Sequence, residues 1–250
     1  MPEMQQLTII RPRIFQQIPT VVAAFSTRTG GVSPEPLGLN LSFTVGDDRT
    51  NVIRNRERFF GELHIGLDEL AIPMQCHSTT IVHAKNPGGF ERCDGLVTRE
   101  YGVFLVVTVA DCVPVLLYDP VRKAVGAIHA GWKGTADGIA GSAIDAMHTM
   151  FGSDAADIIA WIGPAAGGCC YEVDEATAAR FPDPVVDRSG RKPKVDLQKE
   201  NGNQLVTRGV NEKSIDVYQA CTIHDSGLFH SFRRDGRAAG RMLGVIGIVR

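Results

Sequence analysis

Val103-Phe-Leu-Val-Val-Thr-Val-Ala-Asp-Cys-Val-Pro-Val-Leu-Leu-Tyr118 is the stretch on which the fold turns. Two largely β-branched apolar runs, Val103 to Ala110 and Val113 to Tyr118, are separated only by Asp111 and Cys112, which predicts two strands buried on both faces. Downstream, Ala124 to His129 reads as a third strand and Gly134 to Met150 as a helix. Ile158 to Ile162 then reads as a strand, Pro182 to Pro193 as a long exposed loop, Leu197 to Val210 as a helix and Met242 to Val249 as a closing strand. Upstream, strand-like pieces fall between Ala71 and Val82, around Gln75–His77. A helix is expected over Asp48 to Leu63, where Val52, Ile53, Arg56, Phe59 and Phe60 keep helical spacing and Thr50 offers an N-cap. Val21 to Ser26 is a strand leading into the turn-rich loop Arg28 to Asn40, and the first ten residues read as a short strand or ragged terminus. Alternation of this kind argues for α/β layering.

The 250 residues suffice for one large domain with a core that needs no disulfide or metal to hold it, and no composition break divides residues 1–250. With 26 Lys and Arg against 28 Asp and Glu, the net charge of −2 excludes gross electrostatic capture of nucleic acid or of an anionic membrane. No apolar stretch approaches the roughly 20 residues a spanning helix needs. No secretory signal is read at the start, so the expected location is cytoplasmic. The cysteines at 76, 93, 112, 169, 170 and 221 are accordingly read as thiols or metal ligands.

Cys112 and His129 stand at the edges of apolar strands where polar groups are unexpected, and His77 lies in a third strand-like segment. One thiolate and two imidazoles suit zinc, and three protein ligands with a fourth position open is the catalytic arrangement. The same atoms admit a metal-free Cys–His nucleophile pair, with Asp111 or His77 as orienter, or a copper site. They equally admit a buried thiol beside two satisfied histidines. A multicopper oxidase would demand more than the seven histidines present. Ser26-Thr-Arg-Thr-Gly-Gly-Val-Ser33 places Arg28 beside two glycines, a phosphate-binding composition or an ordinary glycine turn. Arg233-Arg-Asp-Gly-Arg237 is a basic cluster that a solvated turn explains.

The segments in order resemble the laccase-domain YfiH/YlmD family of zinc-dependent purine nucleoside phosphorylases. The resemblance is carried by Phe25–Ser33, Asn40-Leu-Ser42, Val45-Gly-Asp47, Asn55-Arg56, Gln75-Cys-His-Ser78, Asp94-Gly-Leu-Val-Thr98 and Ala110-Asp-Cys-Val-Pro-Val-Leu-Leu117. It continues through His129-Ala-Gly-Trp-Lys-Gly-Thr135, Ile162-Gly-Pro164 to Cys170-Tyr-Glu-Val173, Cys221-Thr222 and Ser231–Gly236. It implies a four-layer α/β/β/α sandwich and zinc held by His77, Cys112 and His129. The implied reaction is phosphorolysis of adenosine, inosine, guanosine and methylthioadenosine to base and ribose 1-phosphate, with adenosine deamination at the same site. Arg28, and secondarily Arg56, are the expected phosphate contacts, with Asp111 and Lys133 behind the ligands. The expected partners are a nucleoside and phosphate. This chain departs from the family pattern at Cys76, where valine is usual, at Lys133, where arginine is common, and at Gly167-Gly168, which replaces a bulkier pair. Copper-dependent phenol oxidation, a Cys–His hydrolase acting on cell-wall intermediates, and a non-catalytic binding module are the rival classes.

Overall fold

The computed structural model describes residues 6–250, so the first half of the expected N-terminal strand lies outside the described residues. Two six-stranded mixed sheets are stacked face to face. The first has the order β1 (Ile9–Ile10), β2 (Val21–Ser26), β14 (Met242–Ile248), β7 (Phe104–Val109), β3 (Leu70–Pro73) and β5 (Gly88–Phe90). The second runs β13 (Ile215–Val217), β10 (Ile159–Ile162), β8 (Val113–Asp119), β9 (Ala124–Ala130), β6 (Gly95–Thr98) and β4 (Ile81–His83). β11 (Val186–Asp187) and β12 (Lys194–Val195) pair by themselves. The helices are α1 (Arg49–Gly61), α2 (Trp132–Ala136), α3 (Ile139–Phe151), α4 (Glu175–Ala178), α5 (Leu197–Thr207) and α6 (Phe232–Asp235). None is long and apolar enough to cross a membrane.

Strand parity sorts the core into three interfaces, because successive side chains point to opposite faces. Leu105, Val107 and Val109 of β7 and Met242, Ile246 and Ile248 of β14 meet Leu116, Tyr118, Val125, Ala127 and Trp161 of the second sheet in the central layer. The opposite faces of the first sheet, Phe104, Val106, Leu243 and Val245, pack on Phe59 and Phe60 of α1. Val113, Val115, Leu117 and Ile128 pack outward on Ile139, Ala143, Ile144 and Met147 of α3 and Leu205 of α5. The result is the helix–sheet–sheet–helix layering that the resemblance implied. Trp161, fully buried, is the central keystone, its ring 5.9 Å from Phe25 and 6.4 Å from Tyr218.

Four local expectations are corrected. The segment 75–77 is a loop, because His77 takes φ 60°, outside any strand. The expected helix 134–150 is two helices, because Gly138 adopts φ 84° and breaks the chain between α2 and α3. Asp48, not Thr50, caps α1: its carboxylate accepts the Thr50 N–H at 2.7 Å. The loop 182–193 is not wholly irregular, since it contains the first strand of the β11–β12 ribbon.

Candidate metal centre

Parity also builds the site. Positions 112, 114, 116 and 118, and 125, 127 and 129, alternate onto the inner face of the second sheet, so Cys112 and His129 share that face at adjoining strand ends. Asp94, one residue before β6, is a cross-strand neighbour of His129, whose N–H donates to the Asp94 carbonyl at 2.7 Å. The third ligand arrives on the loop after β3, and one carboxylate catches it. Asp94 accepts the backbone N–H groups of Cys76 at 3.1 Å, His77 at 2.9 Å and Ser78 at 2.6 Å, and the Ser78 hydroxyl at 2.9 Å. These bonds hold His77 in its left-handed conformation, which a non-glycine residue adopts only under such constraint. Cys76 therefore does not alternate away from its neighbour as a strand residue would; its Sγ lies 3.5 Å from the same carboxylate.

The donor atoms of His77, Cys112 and His129 all lie within 4.8 Å of one another, and the two imidazoles meet edge-on with centroids 4.9 Å apart. His129 Nδ1 is 2.8 Å from Asp94 Oδ1, which turns the other ring nitrogen toward the cluster, the carboxylate–histidine pairing that orients metal-bound imidazoles. Gly131 leaves the space: a Cβ there would stand 2.6 Å from His77 Nδ1 and 3.2 Å from Cys112 Sγ. Burial disfavours the His129 imidazolium, but the Cys112 sulfur and the Asp94 carboxylate outweigh it and raise the group to about 9. Burial, with His129 and Lys133 nearby, lowers His77, keeping it the neutral imidazole that a cation needs. Burial alone would raise Asp94, yet its bonds to His129 and Ser78 hold it well below the usual carboxylate range. The donor set, its mutual distances and the Gly131 gap fit a thiophilic transition-metal cation.

The cluster forms the floor of a cavity of about 1060 Å³ at the edge between the two sheets. Its walls include Phe43, Met74, Gln75, Phe232, Arg56 and Arg241. Arg56 donates through Nε to the Leu41 carbonyl at 2.8 Å and lies 4.6 Å from the Phe43 ring centroid, at the cavity wall. Burial lowers the Arg56 guanidinium to about 10, still charged at neutral pH. Arg241 lies over Phe232 and is anchored on the carbonyls of Ala239 and Gly240.

The other expected site residues are placed differently. Arg28 is not among the residues lining this cavity; its guanidinium is taken up by Glu35 at 2.9 Å and by the carbonyls of Pro36 and Ser226. Asp111, at φ 87°, makes no bond to His129: it accepts the Thr222 hydroxyl and the Arg233 N–H, both at 2.6 Å, and so fixes the turn that carries Cys112. Asp94 occupies the orienting position expected of Asp111. Lys133 lies on α2 with its ammonium 5.6 Å from the Trp132 ring centroid. Sequence reasoning gave no role to Asp94, Gln75 or Arg241. The available signal for Asp94 was a carboxylate directly preceding a wholly buried strand; nothing comparable marked the other two.

The chain matches the family model described as multi-copper polyphenol oxidoreductase laccase over residues 22–249. It is 38% identical over 245 residues to purine nucleoside phosphorylase YlmD of Geobacillus stearothermophilus, covering 90% of this chain and 89% of that protein. It is 39% identical over 233 residues to a purine nucleoside phosphorylase of Deinococcus radiodurans, covering 91% and 89%. The crystal structure of YlmD from Geobacillus stearothermophilus superposes with a TM-score of 0.90 at 34% identity, covering 100% of both chains. In sequence, in fold and along nearly its whole length, the chain belongs to the multi-copper polyphenol oxidoreductase laccase family, alongside the YlmD proteins.

Proposed function

We propose that this protein is a zinc-dependent purine nucleoside phosphorylase. It would cleave adenosine, inosine, guanosine and methylthioadenosine with phosphate and also deaminate adenosine. The observation that carries the reading is a His–Cys–His cluster lining a cleft with ample room for a nucleoside and phosphate, in a chain whose relatives bear the phosphorylase name. His77, Cys112 and His129 would hold the ion, which when bound supplies a Lewis acid or an activated hydroxide. In phosphorolysis a phosphate oxygen bonds to C1′ of the ribose as the C1′–N9 bond breaks and its electron pair leaves with the base. The protein must fix the anion and stabilise the charge that develops as the sugar becomes oxocarbenium-like. Arg56 and Arg241 supply fixed cations in the wall, stacked on Phe43 and Phe232, whose rings add apolar surface beside them for a purine. Asp94 orients His129 and pins the His77 loop, acting on the ligands rather than on substrate.

A second reading has its own support: the Cys112 sulfur lies within 4.8 Å of a ring nitrogen of His129, which Asp94 orients, the makings of a metal-free nucleophile pair. One experiment separates the readings. Chelated protein should lose nucleoside cleavage and recover it with zinc; activity that survives chelation favours the thiol pair, and phenol oxidation regained with copper favours an oxidase. Cys112→Ala should lower kcat/KM about a hundredfold or more in a folded protein, since the Lewis acid is worth several kcal/mol. Arg56→Ala should raise the KM for phosphate while sparing deamination, which uses water; Arg28→Ala should disturb both activities alike, because its bonds shape a loop.

A further inference from the structure

A second group of soft donors stands outside the cleft. Cys169 and Cys170 lie on the loop after β10, and Cys221 and His224 lie on the segment after β13. Their donor atoms are all within 4.8 Å of one another, although the two pairs are far apart in sequence. Cys169 Sγ is 3.6 Å from His224 Nδ1, and Cys170 Sγ is 3.4 Å from His224 Nε2. In tetrahedral zinc sites, with Zn–S about 2.3 Å and Zn–N about 2.0–2.1 Å, neighbouring donors stand about 3.5–3.8 Å apart. His224 gives an ion only one ring nitrogen, so one of these two separations matches an edge of such a tetrahedron, and the remaining donor pairs, within 4.8 Å, have to draw closer on binding. All three cysteines are free thiols.

The surroundings are built to bring them together. Ala165 and Cys221 form a bridge between the two loops, and the Thr222 N–H donates to the Ala165 carbonyl at 2.9 Å. The Gly167 N–H points at Cys221 Sγ at 3.3 Å, a donor aimed at sulfur. Gly167 has a steric reason as well: a Cβ there would come within 3.2 Å of Cys221 Cβ and 3.4 Å of Cys169 Sγ. Cys221-Thr-Ile-His224 closes a short chelate on one loop, and Cys169-Cys170 provides the second arm.

We propose that Cys169, Cys170, Cys221 and His224 bind one thiophilic divalent cation, zinc by the chemistry of the set, as a closed structural clip separate from the His77–Cys112–His129 centre. On binding, three S–H bonds give up their protons to solvent, and three metal–sulfur bonds and one metal–nitrogen bond form. No metal position is then left open, so the clip is not catalytic. Its mechanical role follows from what the two loops touch. Ala166 donates its N–H to the Asp111 carbonyl at 2.9 Å, and Thr222 donates to the Asp111 carboxylate, so fastening the loops together fastens the turn that carries Cys112.

The test uses full-length protein purified under reducing conditions. Wild type should bind about two zinc ions per chain, Cys112→Ala one, and Cys112→Ala combined with His224→Ala or Cys169→Ser none. Cys169 and His224 are exposed, so these variants should keep the native circular dichroism. In the Cys112→Ala background, cobalt should give the intense thiolate charge-transfer absorption of a three-sulfur site, and chelation should lower Tm. Neither signal should remain once His224 is also replaced. A Cys112→Ala protein with all its thiols titratable that binds no zinc overturns the clip, as does zinc binding there that is indifferent to both His224→Ala and Cys169→Ser. Because the first centre is removed in this background, loss of the phosphorylase reading leaves this result untouched.

Discussion

A single buried carboxylate does more for the candidate centre than either histidine does for itself. Asp94 accepts bonds from three consecutive amides, a hydroxyl and an imidazole, and bonds to a charged acceptor are each worth about 1.5–3 kcal/mol. Asp94→Asn should therefore weaken zinc binding by about 10–100-fold, measured by competition with a chelator. An unchanged affinity would mean that the loop finds its position without Asp94. A buried histidine behind the cleft wall gives a pH prediction. Burial, reinforced by the charge of Arg28, lowers His230 to about 3, against 6.5 when exposed. Between these values the unfolded chain binds a proton that the native chain refuses, so stability falls as pH drops through that window, by up to about 1.4 kcal/mol per pH unit. His230→Leu should remove that slope in urea titrations between pH 6.5 and 4; an identical slope in both proteins refutes the assignment. Cys112 and His129 were legible as polar groups at the ends of apolar runs, whereas His77, among polar neighbours, joined them through the family resemblance. Asp94 was not legible, since its importance lies in bonds to backbone amides that no side-chain pattern reports.

At the scale of elements, the long apolar runs were read well and their ends were not. The runs 103–110, 113–118, 124–129 and 242–249 became strands within a residue or two, because burial on both faces leaves a continuous signature. The ends depend on single dihedral angles. Gly138 at φ 84° splits a segment that hydrophobic spacing reads as one helix, and His77 at φ 60° turns a strand-like tripeptide into a loop. The cap of α1 separates two readings directly. Asp48→Ala should lower stability by about 1 kcal/mol in denaturant unfolding, whereas Thr50→Ala should leave it nearly unchanged, because only the Asp48 carboxylate receives the first-turn N–H. Equal losses would restore Thr50 as the cap. The consequence reaches the cleft, since α1 carries Arg56 into its wall and Asn55 into bonds with Ser33 and the carbonyls of Gly38 and Asn40.

The whole molecule is two sheets pressed together around Trp161, with the cleft where they part. Trp161→Ala should cost about 3–5 kcal/mol, and near- and far-ultraviolet signals should still unfold together if the two sheets are one cooperative unit. Separate transitions would show that each sheet holds with its own helices. The layering was legible from alternation of strand and helix, but which strands face each other was not, because β3, β7 and β14 are neighbours only through long-range pairing. The loop that delivers His77 is stitched to both sheets. Gln75 exchanges two hydrogen bonds with Thr108 of β7 in one, at 2.8 and 2.7 Å, while Asp94 at the head of β6 in the other holds the next three amides. A loop anchored in this way cannot fray alone. In deuterium exchange, the amides of Cys76, His77 and Ser78 should therefore keep time with the strands of the central layer, opening only when the sheets themselves come apart.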